Sequence, residues 1–521
     1  MRGAIAAGHP LTAEAGARVL AEGGTALDAC IAAGFASWVA ESPLSGPGAG
    51  GFLLLHQAGE SATRLVDFFV AVPGLDQGRR PDARMDVIQV DFEVDSSQAF
   101  AIGAASCAVP GALGGLEEAH RRFGTLPWKE LIAPAIELAR AGVEITPAHD
   151  YLYGILEPIL RRYPEGRRVY SCDGDRCKAG DTLRLPDLAA TLELLAVEGA
   201  RALYAGELGK ALVAHVQAEG GEIGPLDLAR YRPVWRRPVR VSYRGLEFVS
   251  NPPPSSGGIL IAYGLRLLNR LGEGGRPGSV EAIVRLVEVM REQTRARSGR
   301  FAFDLKKGGL PGRLLADEAV ERGVARILAG ADGIAEPGGP TGTTHISVVD
   351  AAGNAASMTC SLGSGSGVVV PGTGIHLNNM LGEEDLVSGN ERPGERITSM
   401  MAPSIVLSGS EPRLVLGSAG SVRIRGAIMQ TVVNVVGHRL PVEEAVSRAR
   451  VHLDEPLVQC EGGDDVDPAV LDELERRGLT LARWRSRNLF FGGVSAVELR
   501  PGGELAAAGD PRRGGHGLVV A

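Results

Sequence analysis

Two adjacent hydroxyl side chains, Thr343 and Thr344, follow Gly342 in the stretch GPTGTTHISVVDAAGNAASMTCS (339–361). A hydroxyl is a poor nucleophile until a base takes its proton. One base that a chain can supply is the residue's own α-amine, freed by cutting the chain before it. A free α-amine titrates near pH 8, roughly, so a useful neutral fraction exists at physiological pH. This chemistry asks for a small residue before the nucleophile, an exposed segment upstream and a strand to hold the new N-terminus. Gly342 is the small residue, and the Gly/Pro-rich AGADGIAEPGGPTG (329–342) reads as an exposed linker that tolerates a chain break. In the run 344–350, Ile346 and Val348 alternate with His345 and Ser347, the period-two pattern of a half-buried strand. Asp350 to Asn354 then reads as a hairpin turn into a second strand, 355–361. Taken by itself, the stretch also fits ordinary β-branched residues entering a strand.

Other chemistries fit less well. The histidines are dispersed, with no HExxH and no CxxC pair, so no metal is expected. Asp464, Asp465 and Asp467 crowd together beside Gly463, but no glutamate closes a calcium loop, and they read as a solvated acidic turn. GSGSG (363–367) matches a serine nucleophile elbow by letters, yet the strand-like 368–370 follows where a helix is required. The glycines of SGPGAGG (45–51), with Asp67 downstream, suggest a dinucleotide fingerprint. Here a helix precedes them and a strand follows, the reverse of what a phosphate cradle needs.

The elements that must position the threonines can be read along the chain. Residues 11–41 read as two helices broken at Gly23-Gly24, and 52–56 as a strand. Segments 112–142 and 185–217 are helix-rich, with Pro127, Pro134 and Pro186 expected near helix starts. Paired strands are expected over 230–250, then NPPPSSGG and a helix from 259, and a charged amphipathic helix over 279–299. Beyond the linker the pattern turns to strands, with a helix at about 424–437. A chain of 521 residues, 44% apolar, can bury a large core; its net charge of -8, without a basic run, argues against nucleic acid and anionic membranes as partners. No stretch is long and apolar enough to span a bilayer, and the N-terminus lacks the order of a signal peptide, so a cytoplasmic protein is expected. Cys172 and Cys177, close together in SCDGDRCKAG, fit either a disulfide-closed loop or two reduced loop thiols, and in a cytoplasmic protein reduced thiols are expected.

Across nearly its whole length the chain resembles the γ-glutamyltransferase family of N-terminal-nucleophile hydrolases. TTHISVVDAAGNAAS (343–357) resembles the start of that family's small subunit. GTGIHLNNM (372–380), TSMMAPSIV (398–406), LGSAGSVRI (416–424), FFGGVSAV (490–497) and GDPRRGG (509–515) follow in family order. Upstream, GHPLTAEAGARVLAEGGTALDAC, VPGALGGL, FGTLPW, LIAPAIELARAG and NPPPSSGGI also match. The resemblance implies an α+β, four-layer αββα sandwich made as one precursor. Cleavage between Gly342 and Thr343 would leave a large subunit, 1–342, and a small one, 343–521. Thr343 would attack the Gly342 carbonyl during processing and later the substrate amide, with its α-amine as base; water or an amine acceptor would resolve the acyl-enzyme. Thr344 and Ser361 stand where the family has hydroxyls supporting the nucleophile. Gly420-Ser421, ahead of an apolar helix, form the expected oxyanion turn, where backbone N–H groups meet the positive end of the helix dipole. The family has a second glycine where this chain has Ser421, which must therefore adopt the φ/ψ of the turn. No cofactor is expected, because nucleophile, base and oxyanion donors all come from the chain.

The departures cluster where substrate binds. Enzymes of the family that act on glutathione hold the α-carboxylate with an arginine; in VDFFVAVPG (66–74) Phe69 takes that position, and a phenyl ring cannot replace a bidentate pair. After Asn378-Asn379, Met380 stands for an expected glutamine and Glu383 for an aspartate; Gly363 stands for an asparagine. Thr398 and Ser399 retain the hydroxyls of a Ser-Ser pair that contacts the carboxylate. Arg423 and Arg425 are candidate substitute cations. The short span 381–396 implies a reduced lid. The expected activity is hydrolysis or transfer of a γ-glutamyl or related acyl amide, with glutathione itself in doubt. The alternatives are a specialised acylase or C–C bond hydrolase of a biosynthetic pathway, and an unprocessed homologue with a binding role.

Overall fold

A computed structural model describes residues 2–60, 62–78, 83–91, 97–330, 342–383, 386–387, 390–462 and 466–521. Two antiparallel sheets are built from β1 (Gly3–Ala7), β2 (Gly50–Gln57), β3 (Ala62–Phe68), β4 (Val234–Arg236), β5 (Val239–Tyr243), β6 (Leu246–Ser250), β7 (Gly342–Asp350), β8 (Ala355–Gly363), β9 (Ser404–Ser408), β10 (Glu411–Ala419), β11 (Gly493–Leu499), β12 (Leu505–Gly509) and β13 (His516–Val520). The first sheet runs β4-β3-β2-β8-β7-β1-β13 and the second β5-β6-β9-β10-β11-β12.

Helices α1 (Pro10–Ala21), α2 (Ala26–Ala40) and α3 (Ala112–Phe123) lie on the first sheet, with α4 (Trp128–Ala141) packed outside them against α2. Helices α5 (Gly257–Leu271) and α7 (Arg423–Val432) lie on the second, with α6 (Val280–Ala296) packed against α5. The other faces of the two sheets meet through β7, β8, β10 and β11. The result is the expected four-layer αββα sandwich.

Strand alternation makes these layers, because successive side chains point to opposite faces. On β1 and β2, Ile5, Leu53 and Leu55 join the core under the first helix layer, whereas Ala4, Ala6, Phe52 and Leu54 join the core shared with the second sheet. A sheet covered on both faces must be apolar on both, and β7 and β8 are buried along their whole length. Helix α2 is buried all round, as a helix between a sheet and other helices must be. Its N-terminus is closed by reciprocal Thr25–Asp28 hydrogen bonds, and it ends at Glu41.

The helix pair broken at Gly23-Gly24 and the hairpin turned at Asp350–Asn354 form as expected, while four expectations change. The strand over 344–350, expected to be half-buried, is buried on both faces because helices cover one side of its sheet and the second sheet the other. Pro134 lies inside α4, not at a helix start; the helix already begins at Trp128, behind Pro127. The helix from Arg423 is α-helical only to Val432 and continues to Gly437 with π-type bonds. Cys172 and Cys177, expected as free thiols, are joined by a disulfide. The tight Asp173-Gly174 turn, with φ of 51° and 90°, folds two short strands together and brings the cysteine Cα atoms to 4.8 Å. The linker at 331–341 and the acidic turn at Asp464 and Asp465 lie outside the described residues.

Candidate active site

Gly342 and Thr343 open β7 next to the end of β8, with Gly342 opposite Gly363 and Thr343 opposite Ser361. The register slips between Gly342 and Thr343, so a bulge falls on the peptide bond expected to be cut. Bulges re-aim a side chain and interrupt the ladder. The approach is close: a Cβ on Gly342 would lie 2.6 Å from the Gly363 carbonyl oxygen, so only glycine fits here.

Three groups form a relay across the bulge. The Thr343 hydroxyl donates to Ser361 Oγ at 3.1 Å, and the Ser361 hydroxyl donates to the Gly342 carbonyl oxygen at 2.5 Å. The Gly363 N–H fixes Ser361 Oγ from behind at 2.9 Å. A nucleophile and the carbonyl it would attack are thus held by one serine hydroxyl, itself oriented by the backbone. Thr343 is 2% exposed, so this occurs out of bulk water, where hydrogen bonds are electrostatically stronger.

Neighbouring side chains of a strand face opposite ways. Thr344 accordingly turns from Ser361 and donates to Glu41 Oε2 at 2.5 Å, while Thr12 donates to Glu41 Oε1 at 2.8 Å. Thr344 and Glu41 therefore face away from Ser361, and Thr343 borders both a cavity in front and a chamber that Glu41 lines. Burial raises the Glu41 carboxyl to about 7, against the hydrogen bonds from Thr344 and Thr12 and the charge of Arg513.

In front of Thr343 lies a narrow cavity lined by Phe69, Met380, Leu386, Met400, Met401 and Ile424, with Ser361, Glu383, Ser399 and Ser421 among its polar members. No arginine, lysine or histidine lines it among the described residues. Phe69 stacks on Phe52, with centroids 5.5 Å apart, and forms one wall. Glu383 Oε1 accepts from Ser364 N–H at 3.1 Å. Asn379 donates to Ser364 Oγ at 2.6 Å, and its Oδ1 has no hydrogen-bond partner among the described residues. Gly363 has φ of 73°, and a Cβ there would lie 2.1 Å from Asn379 Oδ1. Asn379 and Glu383 thus crowd the space that a side chain at 363 would need.

The turn expected to hold the oxyanion is in place. Ser421 has φ of 52°, the left-handed conformation that the second position of a Gly-Gly turn supplies freely. Ile424 N–H donates to the Ser421 carbonyl at 3.0 Å and begins α7, so Ser421 stands at the helix N-terminus and on the cavity wall. The hydroxyl pair divides. Ser399 lines the cavity, with its Oγ accepting from Met401 N–H, whereas the Thr398 hydroxyl donates to the Pro254 carbonyl at 2.9 Å and is not part of the wall. Arg423 and Arg425 do not supply a substitute cation. Arg423 donates to the Phe490 carbonyl and covers the Phe490 ring at 4.2 Å, and Arg425 donates to Thr294.

The sequence reading missed Glu41 and the Met400-Met401 wall. Glu41 had a signal: between Asp28 and His56 it is the sole charged residue in an otherwise apolar and small-residue run. A lone carboxyl in such a run must find buried partners. Its partner, Thr344, is 303 residues away in sequence.

The profile of the family described as gamma-glutamyltranspeptidase matches residues 12–520. The Acylase ACY 1 proenzyme of Pseudomonas sp. (strain SE83) is 34% identical over 533 residues, covering 100% of this chain and 94% of its own. The Glutathione hydrolase proenzyme of Pseudomonas aeruginosa is 33% identical over 544 residues, covering 99% and 94%. Among solved structures, the cephalosporin acylase of Bacillus halodurans superposes with a TM-score of 0.83 at 24% identity, covering 99% of this chain and 95% of that one, and so shares the fold.

Proposed function

The chain belongs to the gamma-glutamyltranspeptidase family of N-terminal-nucleophile hydrolases and acyltransferases, and on that premise we propose that it cuts itself between Gly342 and Thr343. The products are a large subunit, 1–342, and a small subunit, 343–521, that remain folded together. Thr343 is then the nucleophile and its new α-amine the base, and the chain works as an amide hydrolase or acyltransferase through an ester on Thr343. The observation that carries this reading is the relay from Thr343 through Ser361 to the Gly342 carbonyl at the bulge. Gly420 and Ser421, at the N-terminus of α7, serve the oxyanion of each acyl transfer. The experiment is the intact mass of freshly purified protein beside a Thr343→Ala control. Two chains meeting at Gly342–Thr343 in the native protein alone support the reading, and one uncut chain under varied pH and time turns it towards a binding role.

The acyl group follows from the cavity. With Phe69 in the wall and no cation among the described lining residues, a free α-carboxylate has no charged partner there and only hydroxyls such as Ser399 to meet it. The apolar wall favours the acylase reading, in which the acyl group is apolar and lacks that carboxylate, over hydrolysis of glutathione. Steady-state rates on paired γ-glutamyl and simple acyl amides of one amine test this; a preference for the γ-glutamyl member overturns it. Acceptor amines enter by the same route as water, and product analysis with added amino acids separates transfer from hydrolysis. The compartment goes with the Cys172–Cys177 pair. A disulfide persists where the surroundings oxidise, and two thiols persist where they reduce, as in a cytoplasm. Alkylation of denatured protein from its native host distinguishes them, by four free thiols or six.

A further inference from the structure

Self-cleavage, as proposed above, needs a base that the mature enzyme does not. Until the Gly342–Thr343 bond breaks, the Thr343 nitrogen is an amide and cannot take a proton. The Thr343 hydroxyl donates to Ser361 and Ser361 to the Gly342 carbonyl, and neither hydroxyl is a base at neutral pH. Some other group must accept the proton. Behind Thr343 a water-sized chamber is enclosed by Thr343, Thr344, Glu41, Gly493, Asp510 and Arg513. Glu41 stands in its wall, 1% exposed, held by Thr344 and Thr12. Arg513 Nε, in the same wall, is buried and has no hydrogen-bond partner among the described residues. A water in the chamber would accept from Arg513 and donate to Glu41, the kind of polar partners that an internal water requires.

We propose that Glu41 is the proton carrier of self-cleavage, taking the Thr343 hydroxyl proton through a water in this chamber and returning it to the departing Thr343 nitrogen. The inference rests on the self-cleavage reading. The bond from Thr343 Oγ to the Gly342 carbonyl carbon forms, and the bond from that carbon to the Thr343 nitrogen breaks. The proton leaves the hydroxyl for Glu41 and ends on the nitrogen, giving an ester and a free amine. Water then splits the ester into the Gly342 carboxylate and the restored Thr343 hydroxyl.

The surrounding groups leave Glu41 as the one that changes charge near neutrality. From the start of α1, burial and the neighbouring His149 lower His9 to about 3, and on β7 burial lowers His345 to about 3, so both stay neutral. In the turn after β12, burial would raise Asp510, but Arg450 and Arg512 outweigh it and keep the carboxyl below its ordinary value. Burial lowers Arg513 to about 10, which leaves it a cation. The Glu41 carboxyl, raised to about 7, is protonated below that value and a base above it. Cleavage should accordingly rise about tenfold per pH unit up to roughly pH 7 and level off beyond it.

The test uses the full chain made by cell-free synthesis, arrested, and followed by intact mass over roughly pH 5 to 9. Wild type is expected to show the rise and plateau. Glu41→Gln is expected to cleave about a hundred-fold more slowly or worse, with the rise gone. Glu41→Asp keeps the rise with a displaced midpoint, and a thermal melt reports folding of each variant. Glu41→Gln cleaving like wild type overturns the proposal, as does a slow variant that keeps the wild-type pH rise, since that marks a structural role alone. Should Glu41→Gln not fold, a flat wild-type profile or an undisplaced Glu41→Asp midpoint overturns it. A wild-type chain that stays whole overturns both this inference and the self-cleavage reading, whereas a cleaving wild type with an indifferent Glu41 variant overturns this inference only.

Discussion

The two sides of Thr343 are built from opposite materials. In front, Phe69, Leu386, Ile424 and three methionines dominate the cavity wall, with Glu383 the one charged side chain and no cation among the described residues. Behind, the chamber wall holds the buried carboxyls of Glu41 and Asp510 and the half-buried Arg513, whose Nε is enclosed. An apolar wall selects a substrate by shape and by what it refuses to solvate, whereas buried charges set protonation states and are costly unless each is partnered. On the readings proposed above the two sides would have separate tasks, the front selecting the acyl group and the back timing the cut. Phe69 and Met380, which the resemblance marks as departures, both stand in front. On the proposed reading, exchanging either would shift a preference, whereas disturbing the back would leave a charge buried alone.

Substitutions on either side can break this division. The largest effect is expected from Thr343→Ala, on the line between the two, which abolishes both cleavage and turnover; intact mass and any acyl-amide assay report it. Next is Ser361→Ala, which removes the hydroxyl on the Gly342 carbonyl. Loss of such a donor costs about a hundred- to a thousand-fold, so cleavage should slow by that order while Ser361→Thr restores it. Equal loss in both variants would mean that packing, not the hydroxyl, matters. On the front wall, Phe69→Arg should raise the kcat/KM ratio for γ-glutamyl over simple acyl amides by about a hundred-fold, the scale of one charge-assisted pair, and leave self-cleavage unchanged. A change in cleavage rate would show that front and back are coupled. The smallest effect belongs to Ser421→Gly. Main-chain donors are retained and a left-handed φ is relieved, so activity should stay within about threefold and Tm within about 2 °C. A larger fall would give the Ser421 side chain a part in the reaction.

Much of the site was legible because it is local in sequence. Gly342, Thr343 and Ser361 lie on one hairpin, and period-two alternation plus a turn signal is enough to set them opposite each other. The Gly420-Ser421 turn was legible for the same reason, being a strand end followed at once by a helix. Legibility failed where a side chain's direction or a distant partner decides. Thr398 and Ser399 look equivalent in sequence, yet one hydroxyl serves a loop carbonyl and the other residue lines the cavity. Arg423 and Arg425 flank Ile424, and only Ile424 reaches the cavity. The layer architecture was legible through the resemblance, while the Cys172–Cys177 bridge depended on how sharply Asp173-Gly174 turns.

The strand order of the first sheet has a consequence for the cleaved protein. Across it, β2 from the first part of the chain pairs with β8 from the last part, and β1, near the beginning, lies between β7 and β13. Once the chain is cut at Gly342–Thr343, the two pieces are woven through one another, and neither can leave without stripping strands from the other. Dilution should not separate them, and the melting temperature should not depend on protein concentration as it does for a reversible dimer. Two differently tagged preparations, mixed after maturation, should never trade pieces, so each molecule keeps for life the partner it was synthesised with.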